Sequence, residues 1–258
     1  MAAPSIVVFD SGLGGLTVYR EIVRVRPDAA YLYVADDAFF PYGQQAAEAL
    51  TRRVLDVMAG VIEDERPDLV VIACNTASTI VLPELRARFE VPFVGTVPAI
   101  KPACAMSRTK LVSILGTNST VEREYTRGLL RDFAQGCEVT LAGSDRLAAL
   151  AEQALRGDAV ADEAVAAEIA PCFVEAQGQR TDVVVLACTH FPLLIDRFQR
   201  LAPWTVDWID PSEAIARRVV QLIGAPGPDA SPGTARIRFT SGEAPSAVLE
   251  AALKEFGI

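Results

Sequence analysis

The chain has 258 residues, 51% of them hydrophobic and 22% charged, which is ample for a packed core without metals or disulfides. A formal net charge of −9 and the lack of any long basic run speak against nucleic acid as a partner. The start, MAAPSIVVFDSG, has no basic region before its aspartate, and no apolar run approaches the ~18 residues of a membrane span, so a cytoplasmic chain with no membrane partner is expected.

Taken in order, SIVVF reads as a strand, followed by a helix from about Leu16 to Val25 that stops before Pro27. YLYVA is a second strand and the stretch from about Gln45 to Glu65 an amphipathic helix. LVVIA is a third strand, a helix is expected across Ser78 to Phe89 with Pro83 early in it, and PFVGTV is a fourth strand. The pattern then restarts with KLVSILGT, a helix near Val121 to Phe133, CEVTLAG, helices across Asp145 to Gln177, and DVVVLA. TVDWI, a helix over Ser212 to Ile223, the loop GAPGPDASPG, the strand ARIRFTS and a short final helix complete the chain. Strands alternating with helices predict an α/β fold with mainly parallel sheets, whose ligands bind beyond the carboxyl ends of the strands.

The restart carries more information than any single element. FDSGLGGLTV and LGTNSTV both follow a first strand and open a helix with small, hydroxyl-bearing residues. VVIACNTAST and VVLACTHFPL both end a later strand in Ala-Cys-polar-polar, at comparable intervals. This pattern predicts an internal duplication, each copy offering one thiol from a strand end: Cys74 and Cys188. The sole histidine, His190, follows the second thiol by two residues. Cys104, Cys137 and Cys172 lack such surroundings and read as core residues. The five thiols are scattered without a Cys-x-x-Cys pair, so neither zinc nor any other metal is expected, and in a cytoplasm they stay reduced.

DSGLGG admits two readings. Gly12-x-Gly14 approximates a dinucleotide fingerprint, with Asp36 about where a ribose-binding acid would stand. Against it, Thr17 replaces the third glycine and Asp10 would repel a pyrophosphate; the preferred alternative is a turn that brings Asp10 and Ser11 to the strand end beside a small carboxylate ligand. Two thiols that cannot pair, acids nearby and no metal suit inversion of a carbon acid, with a proton removed on one face and delivered on the other.

The segments VVFDSGLGGLTV, YVADDAFFPYG, VVIACNTAST, SILGTNST and VVLACTHFPLL, in this order along most of the chain, closely resemble the glutamate racemases of the aspartate/glutamate racemase family. The resemblance implies two pseudosymmetric α/β domains with the active site in the cleft between them, the first formed by residues 1–97 plus 208–258 and the second by 98–207. It implies interconversion of L- and D-glutamate without a cofactor, a product used in peptidoglycan, and a homodimer.

Carried over residue by residue, the resemblance makes Cys188 the thiol that takes the proton from L-glutamate and Cys74 the one that takes it from D-glutamate. Asp10 assists Cys74 and His190 assists Cys188. The same resemblance makes Asp10, Ser11, Tyr42, Gly43, Asn75, Thr76, Thr117, Thr120, Thr189 and His190 the substrate-binding set. Helix capping is the structural alternative for the threonines. Glu152, in SDRLAALAEQAL, is matched to an assisting carboxylate, with an exposed helix position as its alternative. DDAFF and Lys101 in TVPAIKPA depart from the commoner family pattern. A nucleotide-binding oxidoreductase and a catalytically silent amino-acid-binding protein are the competing functions.

Overall fold

The computed structural model describes residues 3–134 and 136–258. The chain forms two compact units. One runs up to Thr96 and is completed by Ser212–Ile258; the other is Val97–Pro211.

The first unit contains β1 (Ser5–Asp10), α1 (Leu16–Val25), β2 (Ala30–Ala35), α2 (Ala47–Glu65), β3 (Leu69–Ile72), α3 (Asn75–Ile80), α4 (Leu82–Arg88) and β4 (Phe93–Gly95). The second contains α5 (Ile100–Met106), β5 (Leu111–Gly116), α6 (Asn118–Val121), α7 (Glu124–Phe133), β6 (Glu138–Gly143), α8 (Leu147–Leu155), α9 (Asp162–Ile169), a small hairpin of β7 (Glu175–Ala176) and β8 (Gln179–Arg180), β9 (Val183–Ala187), α10 (Ile195–Leu201) and β10 (Asp207–Ile209). The chain then returns to the first unit with α11 (Ser212–Ile223), β11 (Ala235–Phe239) and α12 (Ala247–Glu255).

Both main sheets are parallel throughout, and their strand orders match. The first runs β11-β2-β1-β3-β4 and the second β6-β5-β9-β10, so each unit places its first strand between its second and third. The register agrees as well: Phe9 lies opposite Ile72 and Leu115 opposite Leu186, two residues before Cys74 and Cys188 respectively. The repeat read from the motifs is thus a repeat of topology. The valine-rich inner strands β3 and β9 are buried along their whole length, as strands covered on both faces must be. A core of Val7, Phe9, Val34, Val54, Met58, Val70 and Ile72 packs one side of the first sheet. Ile100, Ala103, Val112, Ile114, Val183 and Val185 form its counterpart in the second unit.

Of the expected helices, α1 and α11 have the expected bounds and the others differ. The one expected from Ser78 begins directly after Cys74 and is broken at Val81, where Pro83 opens the next helix and cannot donate to the preceding turn. The helix expected near Val121 starts as α6 at Asn118, and α7 follows after a short break. α5 and the β7–β8 hairpin were not expected. α2 ends where expected, at Glu65: Arg66 takes the left-handed conformation (φ 46°) and Pro67 follows. Among the described residues, no helix is long and apolar enough to cross a membrane.

Candidate active site

In a parallel sheet with strand order 2-1-3, the chain crosses over between the first and third strands, leaving a crevice beyond their carboxyl ends where ligands bind. Both thiols emerge there. Cys74 follows β3 and serves as the extended residue (φ −141°, ψ 120°) that starts α3, while Asp10 and Ser11 close the neighbouring β1. Cys188 follows β9, while Thr117 follows the neighbouring β5.

In the first unit, the Cys74 thiol donates to Ser11 Oγ at 3.8 Å. Asp10 is fully buried, and its Oδ2 accepts the Gly12 N–H at 3.0 Å. Gly15 lets α1 approach closely: a Cβ there would lie 2.8 Å from Asp10 Cβ and 2.9 Å from the Tyr33 hydroxyl. Asn75 is 2% exposed, and neither its side-chain oxygen nor its nitrogen has a hydrogen-bond partner. An amide left that way costs free energy unless a ligand or a water completes it. Thr76 is buried next to it. Tyr42 is buried too, and its hydroxyl donates to Asp36 at 2.5 Å, so this turn can offer a ligand the backbone of Tyr42 and Gly43 rather than the phenol. Burial first, and then the Asp36 carboxylate, push the Tyr42 phenol well above its ordinary range and keep it a donor.

The same contacts decide against the dinucleotide reading. Asp36 is saturated by Tyr42, Arg53 and Thr240, leaving no acid for a ribose, and the first amide of the glycine-rich turn is occupied by Asp10.

In the second unit, the Cys188 sulfur lies 3.9 Å from His190 Nδ1, and His190 Nε2 lies 3.0 Å from Glu152 Oε1. Both His190 and Glu152 are buried. Glu152 therefore is no exposed helix residue. It shares the inward face of α8 with Leu147, Ala148 and Ala151, and Arg156 meets its other oxygen at 3.3 Å. An ionised carboxylate only accepts, so with Glu152 ionised a neutral His190 would carry its proton on Nε2, with Nδ1 facing the thiol. Thr117 caps α6, its Oγ1 accepting the Thr120 N–H at 3.2 Å, and the two hydroxyls pair at 2.9 Å. Thr189 is buried beside Cys188. Capping is compatible with a binding role, because the cap holds its hydroxyl at the sheet end.

The other cysteines lie away from both strand ends. Burial pushes the Cys172 thiol up to about 12; burial and the neighbouring Cys137 do the same to Cys104. Among the described residues, no group of three or more His, Cys, Asp or Glu side chains is placed to hold a metal ion.

Residues 6–219 match the model of a family described as Asp/Glu/hydantoin racemase. The chain belongs to the Asp/Glu/hydantoin racemase family. Within it, the chain is 55% identical to the glutamate racemase of Brucella canis over 225 residues, covering 87% of this chain and 81% of that one. It is 51% identical to the glutamate racemase of Agrobacterium fabrum over 255 residues, covering 98% of this chain and 93% of that one. Among solved structures it is similar to Escherichia coli glutamate racemase in complex with L-glutamate and the activator UDP-MurNAc-Ala, with a TM-score of 0.89 and 38% identity over 98% of this chain and 95% of that one. Against this family background, the Asp36–Arg53–Tyr42–Thr240 cluster is what sequence reasoning missed. Asp36 stood out in the sequence, but a partner from α2 and another just past the returning β11 have no local signature.

Proposed function

We propose that this member of the racemase family is a cofactor-independent glutamate racemase. The observation that carries the reading is the matching position of two thiols, Cys74 and Cys188, each at the crossover point of a sheet with the same strand order. In this reading Cys188, with His190 and Glu152 behind it, removes the α-proton of L-glutamate while Cys74 delivers a proton to the opposite face. For D-glutamate the roles exchange, with Asp10 assisting Cys74. Ser11, Asn75, Thr76, Thr117, Thr120, Thr189 and the backbone of Tyr42 and Gly43 hold the amino acid. The unpartnered Asn75 amide supports a polar substrate, and relatives at 51–55% identity that bear the name glutamate racemase support glutamate as that substrate. The product, D-glutamate, would supply peptidoglycan synthesis.

The test is chiral analysis of L-glutamate and L-aspartate incubated with the purified protein and no added cofactor. D-Glutamate is expected to form, with aspartate processed far more slowly, because donors placed for the longer carboxylate go unpaired at about 1–3 kcal/mol each. A comparable kcat/KM for aspartate would overturn the glutamate assignment. Absence of racemisation of either would leave an amino-acid-binding protein.

A further inference from the structure

Asp36 is fully buried, and every contact of its carboxylate is to a donor from another element. Oδ2 accepts the Tyr42 hydroxyl at 2.5 Å. Oδ1 accepts Arg53 Nη2 of α2 at 2.5 Å and the Thr240 hydroxyl, just past β11, at 2.6 Å. Arg53 Nε adds contacts to both oxygens at 3.1 Å. The Asp36 main-chain N–H donates to the Asp10 carbonyl at 2.9 Å, which ties the cluster to the acid beside Cys74. Taking a carboxylate and a guanidinium out of water is costly, and a packed apolar pair would often be as stable, so such a cluster is well suited to specifying one geometry.

We propose that Asp36 is a positioning residue for the amino-acid site: it holds the Tyr42–Gly43 turn through the Tyr42 hydroxyl, and the end of β1 through its own N–H. The proposal rests on the reading above, in which the backbone of that turn binds glutamate. Tyr42 is clamped on its other sides by Phe9 and Phe39, with ring centroids 6.4 and 6.3 Å away, so the hydroxyl bond sets the ring's remaining freedom and with it the path of the attached backbone. Arg53 contacts both Asp36 oxygens, most closely Oδ1, so the negative charge needed to fix the turn is neutralised within the cluster.

The test compares Asp36→Asn, Tyr42→Phe and the double variant, using steady-state racemisation of both glutamate enantiomers. Each single variant is expected to raise KM for both by about tenfold or more, with kcat changed by less than about threefold, because a lost charge-assisted bond loosens the binding geometry and leaves both thiols in place. A merely structural role would reduce the folded fraction, and so the apparent kcat, without moving KM. The double variant should be no worse than the poorer single variant, since both remove one link. If Asp36→Asn fails to fold, Tyr42→Phe decides alone, as it deletes only the hydroxyl. Wild-type KM in a folded Tyr42→Phe enzyme, or additive losses in the double variant, would overturn the positioning role while leaving the racemase standing. A wild-type protein that does not racemise glutamate would remove the parent reading, and the positioning role with it.

Discussion

The two thiols have unlike company. Cys74 faces a hydroxyl, Ser11, beside a buried aspartate; Cys188 faces an imidazole whose far nitrogen is held by a carboxylate. Replacing either thiol by alanine should lower racemisation by at least about 10²–10⁴-fold, since in the proposed mechanism each serves once as base and once as acid. Near-native turnover in a folded Cys74→Ala or Cys188→Ala protein, judged by circular dichroism, would remove that thiol from the mechanism. Glu152→Gln keeps the shape of the side chain but loses its charge. A drop in kcat of about 10- to 100-fold is expected, the equivalent of a charged hydrogen bond acting through His190. Unchanged kinetics would reduce Glu152 to a packing residue. The thiols stood out in the sequence because their flanks repeat, and His190 because it is the sole histidine, two residues past Cys188. Glu152 was not secure, because a single glutamate on an alanine-rich helix carries no sign of which way it faces; only the packing of α8 on the turn Phe191–Leu194 shows it.

At the scale of elements, the strands were legible and so were the starts of α1 and α11, but the starts of α3 and α6 were not. Strands such as VVVLA announce themselves by an unbroken apolar run, whereas α3 opens with Asn-Thr-Ala-Ser-Thr, a string that elsewhere would be a turn. It is helical here because tertiary contacts hold it: Ser78 Oγ donates to the Ile72 carbonyl at 3.0 Å and accepts the Thr96 N–H at 3.0 Å. A second element-scale device closes the opposite end of the first sheet. Arg26, just after α1, pairs with both oxygens of Asp28 and donates to the carbonyls of Ile223 and Gly224 at the end of α11. The Arg26 bond holds the Asp28 carboxyl below the usual carboxylate range in spite of burial. A carboxyl with a depressed folded pKa adds stability that is present above its unfolded pKa and lost as pH falls through the folded value. Arg26→Ala should therefore cost about 3 kcal/mol near neutrality, the lower end for breaking a buried pair. The deficit relative to wild type should shrink in acid. Urea unfolding at neutral and acidic pH measures both, and a deficit independent of pH would show that the loss is one of packing alone.

For the whole molecule, the duplication makes a labelling prediction. If separate thiols serve the two faces, the proton delivered is not the proton removed, and the delivering thiol has already exchanged with solvent. In D₂O, the first D-glutamate formed from L-glutamate should carry deuterium at Cα while the remaining L-glutamate stays largely protiated, as read by NMR or mass spectrometry at low conversion. Substantial protium in the early product would mean one base serving both faces. The duplication was visible in sequence through its two cysteine motifs, yet the matching order of the strands was not, since apolar runs do not say which neighbour they pair with.

The unlike surroundings of the two sulfurs also meet a thermodynamic limit. Mirror-image forms of one molecule have equal free energies in water, so the equilibrium constant between them is unity, and no arrangement of side chains can make one direction more efficient overall. In the proposed mechanism, whatever asymmetry Ser11 and Asp10 lend to Cys74, and His190 and Glu152 to Cys188, must cancel in kcat/KM. It can surface only as a tighter-held enantiomer that is turned over more slowly, and damage to either half must slow traffic both ways by the same factor.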